Sequence, residues 1–302
     1  MSPNSPDVPE TGGVSLWVLA ARPKTLWAAV APVMIGTALA YSDRSEFWLA
    51  ALAALLGAVL IQIGTNFAND YFDYNKGADT SQRLGPVRVT QAGLVSPGTM
   101  KRATVIVFTM ALLVGVYLVW RGGWPVVVIG LLSILFGVLY TAGPFPLAYN
   151  GLGEIFVLIF FGPVAVAGTY YVQALTITPE AIIAGLAPGL FSVAILAVNN
   201  LRDIVGDRAS GKKTLAVRFG VRFARWEYAT AVIVAVLVPL LLVLRQPDHR
   251  WALLSLFALP IAVPTVASVL RGTEGRALND TLAVTGRLLL FFSVLFSIGW
   301  LL

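Results

Sequence analysis

The sequence predicts an all-α protein that crosses a membrane about nine times, with its N-terminus in the cytoplasm. Three observations carry that expectation. The 302 residues are 58% hydrophobic and only 12% charged, with a mean hydropathy of +0.82, far from a soluble profile. Apolar runs close to the roughly 20 residues that span a bilayer recur along the whole length. Lys and Arg gather in alternate connections between those runs, which is a topology signal. Length alone would suggest about two soluble domains; composition overrules it.

The first 14 residues, MSPNSPDVPETGGV, are polar and rich in Pro and Gly. They lack the basic start and apolar core of a secretory signal, so a short flexible tail is expected there. Residues 15–302 then form a single transmembrane domain. Spans are expected at about 25–41, 47–69, 103–120, 125–142, 153–173, 180–200, 226–244, 251–270 and 284–302. Trp27, Trp48, Trp120, Trp124, Trp226, Trp251 and Trp300 fall near span ends, where interfacial aromatics belong. Pro32, Pro163, Pro188, Pro239, Pro260 and Pro264 fall inside spans, which membrane helices tolerate when neighbours satisfy the freed carbonyls.

Counting bases fixes the orientation. With the N-terminus inside, 17 of the 21 Lys and Arg face the cytoplasm; only Arg44, Arg121, Arg245 and Arg250 face away. That asymmetry places the C-terminus outside and the two longest connections, about 70–102 and 201–225, on the cytoplasmic side as caps. With no cysteine in the chain, disulfides, iron–sulfur clusters and thiolate zinc sites are excluded. The single histidine, His249, reads as a solvated loop residue. The net charge of +6 resides in these connections, so it speaks for topology and not for nucleic acid.

Both cytoplasmic connections begin with acids. NFANDYFDYNKGAD (Asn66–Asp79) places Asn66, Asp70 and Asp73 at i, i+4 and i+7, a stripe roughly 60° wide on a helix. NNLRDIVGDRASGKKTLAVRFG (Asn199–Gly220) places Asn199, Asp203 and Asp207 at i, i+4 and i+8. Asn-x-x-x-Asp thus occurs twice at the cytoplasmic ends of even-numbered spans, each time followed by bases. Acids at a helix C-terminus oppose its dipole, and ionisable groups at membrane depth are functional candidates by default. One such cluster can be a solvated helix end; two at matching depth ask for a shared task. Carboxylates hold Mg²⁺ as hard ligands, usually one or two per ion beside water and phosphate, while Lys and Arg neutralise phosphate. Acids, amides and bases together therefore suit a metal–diphosphate complex.

These residues resemble the UbiA superfamily of intramembrane aromatic prenyltransferases. NDYFDYNKGAD, GPVRVTQAGLVSP (Gly85–Pro97), YTAGPFPLAYNGLGE (Tyr140–Glu154), the second acidic stretch and ARPKTL (Ala21–Leu26) are most similar to its MenA branch, the 1,4-dihydroxy-2-naphthoate polyprenyltransferases. The resemblance runs from about Ala21 to the C-terminus. Many relatives space the first motif Asp-x-x-Asp-x-x-x-Asp; here five residues separate Asp73 from Asp79, as in the MenA branch.

The resemblance implies a ring of nine helices around a membrane-embedded cavity in a prokaryotic cell (inner) membrane, with the cap loops over its cytoplasmic mouth. It implies Mg²⁺, a polyprenyl diphosphate donor and 1,4-dihydroxy-2-naphthoate as acceptor, prenylated with loss of CO₂. Asp70, Asp73, Asp203 and Asp207 are then the catalytic and metal-holding acids, with Asp79 a further ligand. Asn66, Lys76, Arg88, Asn199, Arg202 and Lys212 are the diphosphate-binding candidates. Arg22 and Lys24 are expected at the acceptor or the diphosphate, or as inside-positive anchors. Tyr140 faces the cation or packs in the core. Gln91, beside Thr90, shapes the acceptor pocket or the cap, and Glu154 supports a substrate hydroxyl or is solvated. Asn279-Asp280-Thr281 matches a glycosylation sequon but faces the cytoplasm on this topology.

Two alternatives lie close. A UbiA-type enzyme for another acceptor, such as 4-hydroxybenzoate, would carry the same motifs. A cation-coupled transporter also uses membrane acids, but near the midplane at broken helices, whereas these acids sit at span ends and are followed by bases.

Overall fold

The computed structural model of the chain describes residues 13–77 and 84–302. Asp79 and the tail up to residue 12 lie outside them. Helix α1 (Gly13–Ala21) precedes the first span and takes in Gly13 and Val14, the last two residues of the expected tail; Trp17 packs on Phe67 with ring centroids 5.5 Å apart. Then come α2 (Pro23–Ser42), α3 (Trp48–Asn75), α4 (Pro97–Gly122), α5 (Trp124–Leu139), α6 (Gly153–Phe160), α7 (Pro163–Ala174), α8 (Pro179–Ala209) and α9 (Leu215–Arg245). A 3₁₀ stretch, Pro247–Ala258, leads into α10 (Leu259–Arg271), and α11 (Leu278–Leu301) ends the chain.

Local chemistry starts several of these helices. Ser96, Thr178 and Thr214 accept hydrogen bonds from Thr99 N, Ala181 N and Val217 N, satisfying amides that a helix N-terminus leaves open. Pro97 and Pro179 follow two of those caps, at positions that need no amide hydrogen. Two expected in-span prolines also turn out to be helix starters. Pro163 opens α7 after α6 has ended at Phe160, and Pro260 lies in the first turn of α10. Their spans are therefore broken helices, since the first turn is where proline costs least.

Among the described residues, eight helical segments are long and apolar enough to cross a membrane, and α5, with 16 residues, is a shorter ninth. From α2 to α5 and from α6 to α9 neighbours in the chain touch in turn, α5 meets α7, α6 and α7 meet α8, α2 also packs on α7 and α8, and α11 returns to α2. The result is a ring of helices joined from its last member to its first. Leu113, Trp120, Trp124 and Leu244 stay exposed and lie outside the cavity lining, which is what lipid contact requires. Between helices the surfaces are small. Ala181, Ala184, Ala187, Ala194 and Ala197 of α8 are buried, and small residues let membrane helices approach closely.

A tight approach lies where the α6–α7 break meets α8. A Cβ on Gly185 would stand 2.6 Å from Pro163 Cα, and one on Gly189 would stand 2.6 Å from Leu158 O. Gly185→Ala should therefore force the helices apart, at about 1–3 kcal/mol for an overpacked site. Thermal unfolding in detergent should show a clear drop, whereas Gly98→Ala, with nothing within 4 Å of the added carbon, should show none. Equal melting curves would disprove the packing argument.

α3 and α8 run further than the expected spans. α8, at 31 residues, is about 46 Å long at 1.5 Å per residue, against a hydrocarbon core of roughly 30 Å. The surplus turns carry Asp70, Asp73, Asp203 and Asp207 on helix, not loop.

Candidate active site

A cavity of about 680 Å³ opens inside the ring. Most of its wall is apolar, built from α2 to α7 by residues such as Ala58, Ile61, Gly115, Val119, Ile134 and Phe160. Its polar end lies where α3 and α8 finish, with Asn66, Asn69, Asp73, Asn199, Asn200, Asp203 and Asp207 in the lining.

Asp73 is the hub. It is 1% exposed, and three donors reach it: Arg88 Nη2 at 3.0 Å on Oδ2, the Tyr149 hydroxyl at 2.9 Å on Oδ1, and Lys212 Nζ at 3.5 Å on Oδ1. Lys212 Nζ is also 3.9 Å from Asp207 Oδ1. One ammonium group thus ties the first acidic motif to the second. Asp203 is held differently, by a two-pronged pair from Arg202: Nε to Oδ1 at 2.9 Å and Nη2 to Oδ2 at 2.6 Å. Arg202 also donates to Asn199 Oδ1 at 2.7 Å and to Asn279 Oδ1 at 2.8 Å. Asn279 in turn donates to Leu84 O at 2.9 Å. The sequon asparagine is thereby a link between the second motif and the first cap.

The other expected residues are distributed around this centre. Arg22, Tyr140, Arg88 and Lys212 line the cavity. Asp70 is buried but absent from the lining; its Oδ1 accepts from Thr90 N at 3.4 Å, fastening the 84–96 segment. Asn66 lines the cavity while its amide nitrogen donates to Ala21 O and Thr25 Oγ1. Lys76 points elsewhere, donating to Thr141 O at 2.7 Å and Gly143 O at 3.3 Å. Burial lowers its pKa, with Asp73 opposing the shift and Lys212 adding to it. Lys24 is exposed, and neither it nor Gln91 reaches the cavity wall. Glu154 is buried, not solvated, and accepts from Asn200 Nδ2 at 2.9 Å. His249 is not a free loop side chain: its ring stacks on Trp300 at 4.1 Å, with Nδ1 3.0 Å from Trp300 O.

Among the described residues, no three acids or imidazoles converge closely enough to chelate an ion alone. Asp73 and Asp207 do share one cation, Lys212, with Asn69 and Asn199 in the same wall. Two carboxylates with neutral oxygens nearby fit Mg²⁺, which takes the rest of its shell from water and phosphate.

The model of the UbiA prenyltransferase family matches residues 29–300. The chain belongs to the UbiA prenyltransferase family. It is 39% identical to the 1,4-dihydroxy-2-naphthoate octaprenyltransferase of Escherichia coli (strain K12), covering 94% of each chain. It is 38% identical to the Mycobacterium tuberculosis protein of the same name, over 92% of this chain and 94% of that one. Among solved structures, a UbiA homolog from Aeropyrum pernix K1 superposes with a TM-score of 0.72 at 13% identity, covering 92% of this chain and 98% of the other. A UbiA homolog from Archaeoglobus fulgidus bound to GPP and Mg²⁺ gives 0.61 at 14% identity, covering 93% and 99%. At such low identity these two speak for the fold alone. The protein is a multi-pass membrane prenyltransferase of the UbiA family.

Sequence reasoning passed over several residues of this UbiA-family site, chiefly Tyr149, with Asn69, Thr141 and Asn200. Tyr149 lies inside the stretch Tyr140–Glu154, of which only the two ends stood out as ionisable. That stretch is a third wall joining both caps. Tyr149 O accepts from Lys213 N at 2.9 Å, and Asn150 O accepts from Arg218 Nη2 at 2.8 Å. Gly151, at φ 69°, lets it lie flat, for a Cβ there would be 2.9 Å from Lys213 O. The Asn150-Gly151 pair, a turn dipeptide, was the available signal in the sequence.

Proposed function

We propose that the protein transfers a polyprenyl group from polyprenyl diphosphate to 1,4-dihydroxy-2-naphthoate, with Mg²⁺ and with loss of CO₂, giving demethylmenaquinol, the reduced form of demethylmenaquinone. One observation carries the reading: two acidic motifs far apart in sequence share a single lysine at the polar end of an otherwise apolar cavity. The names of the E. coli and M. tuberculosis relatives supply the acceptor. The base count favours a site facing the cytoplasm and an N-terminus on that side.

Asp73, Asp203 and Asp207 would hold Mg²⁺, with Asp70 bracing the first motif from behind. Bound there, the ion supplies Lewis-acid neutralisation of the leaving diphosphate. Lys212 and Arg88 add positive charge as the allylic C–O bond breaks and its electron pair departs with the diphosphate. The apolar wall takes the isoprenoid tail and keeps water from the allylic cation, with Tyr140 beside its path. The ring carbon bearing the carboxylate supplies the electron pair for the new C–C bond, and the carboxylate leaves as CO₂. Arg22, in the same wall, is the candidate partner for that carboxylate before it departs.

The test uses purified protein in detergent with a polyprenyl diphosphate and Mg²⁺, offered dihydroxynaphthoate and 4-hydroxybenzoate in parallel. Prenylated product and CO₂ from the naphthoate alone, abolished by a chelator, are expected. Product from hydroxybenzoate alone would move the acceptor assignment; none from either would refute the reading.

A further inference from the structure

We infer that Lys212 is a resident counter-ion: it holds Asp73 and Asp207 together in the substrate-free protein and gives them up to the metal only when a diphosphate arrives to receive its ammonium group. This rests on the metal–diphosphate reading above and adds an order of events to it.

The geometry points this way in three respects. First, the Lys212 ammonium stands between the carboxylates, 3.5 Å from Asp73 Oδ1 and 3.9 Å from Asp207 Oδ1. Those are ion-pair separations, longer than a tight charge-assisted hydrogen bond of about 2.7–2.9 Å. The lysine attracts both acids while being locked to neither, and Arg88 on Asp73 Oδ2 supplies the second positive charge.

Second, the backbone around it is held by hydrogen bonds, whereas the side chain is held by ion pairs and a ring contact. Lys212 N donates to Asp207 O at 2.8 Å, and Lys213 N donates to Tyr149 O at 2.9 Å. Beyond that anchor lies a four-carbon stem with a compact charge, which can swing without moving the loop. Third, the ammonium has a seat. It lies 4.8 Å from the centroid of the Tyr149 ring, within cation–π range, while the Tyr149 hydroxyl is bonded to Asp73 at 2.9 Å. Lys76, at the same distance from that ring, is bound to two backbone carbonyls, so Lys212 is the movable partner of the two.

The electrostatics give the order. Arg88 balances Asp73 at 3.0 Å on Oδ2, so without the ammonium a second largely buried carboxylate, Asp207, would add its charge to the site at a cost. With the ammonium in place, a divalent ion approaching alone meets like charge and needs the same oxygens. A diphosphate reverses the balance by attracting the ammonium to its own oxygens, which frees the carboxylates for the metal that accompanies it. Free metal is thereby excluded until the substrate is present.

Mn²⁺ is the probe, measured by equilibrium dialysis of the detergent-purified full chain against a micelle blank. The wild type should retain Mn²⁺ weakly alone and at least about tenfold more tightly with a polyprenyl diphosphate, a gain equal to one ion pair of about 1.4 kcal/mol. Lys212→Gln should bind Mn²⁺ alone at least about tenfold more tightly than wild type and lose most of the diphosphate enhancement. Lys212→Arg, which keeps the charge, should behave as wild type with Mn²⁺ alone. Tight Mn²⁺ binding by wild type without diphosphate overturns the inference, and needs no variant to fold. Equal affinities in wild type and Lys212→Gln overturn it as well, leaving the metal reading intact. No retention by wild type even with diphosphate overturns the metal reading and this inference together.

Discussion

Replacing Asp73 by Asn is expected to cut turnover by about 10³-fold, the scale of removing one electrostatic group from a water-excluded site. The argument is local. Among the described residues, Asp73 is the one acid of the first motif that is both in the cavity wall and in contact with the second motif's lysine. Arg88, Tyr149 and Lys212 all aim at its two oxygens, so a neutral amide leaves two cations facing a missing charge. The amide oxygen still accepts from Tyr149, and the protein should fold. Steady-state rates at saturating Mg²⁺ and both substrates, with circular dichroism as the folding control, decide it. Activity within tenfold of wild type would remove Asp73 from the metal–diphosphate assignment.

Arg202→Met should produce the largest loss of stability, about 3–5 kcal/mol, the cost of removing one partner from a buried ion pair. Its side chain is 1% exposed and makes four charge-assisted bonds, two to Asp203, one to Asn199 and one to Asn279. Losing them leaves Asp203 without its guanidinium and releases the Asn279–Leu84 tie to the first cap. Melting temperature and turnover should fall together. Arg202→Lys should recover only part of the loss, because a point charge cannot reproduce the fork. An unchanged melting temperature would mean that Arg202 is not the clamp described.

Much of this site could be read in the chain. Asn-x-x-x-Asp at 66/70 and again at 199/203 located both motifs on helix faces at one membrane side, and α3 and α8 carry them. The limit was angular. Residues three apart on a helix step about 60° around its axis, so Asp70, Asp73 and Lys76 fan across about 120°. Asp70 meets the Thr90 amide, Asp73 faces the cavity, and Lys76 meets the carbonyls of Thr141 and Gly143. A stripe on a helical wheel shows that such residues are neighbours; it does not show which of them faces the cavity.

The same limit hid Tyr149 and Asn279. Neither is charged, and their partners lie 76 and 77 positions away. No local period reports such contacts. The broken spans at Pro163 and Pro260 were ambiguous for a related reason, since a membrane helix can either absorb a proline or start at it.

What the sequence by itself determined was the class of molecule and the chemistry of its ends: apolar runs near bilayer length, bases on one side, and two acidic motifs paired with lysines and arginines. Those follow from transfer energies and helical spacing, which act within a few turns of chain. Only the tertiary structure decided which acid is the hub, that Lys212 joins the two motifs, and that Tyr140–Glu154 forms the third wall. Those depend on how whole helices are rotated and packed, a choice made by the small residues between them and not by any one motif.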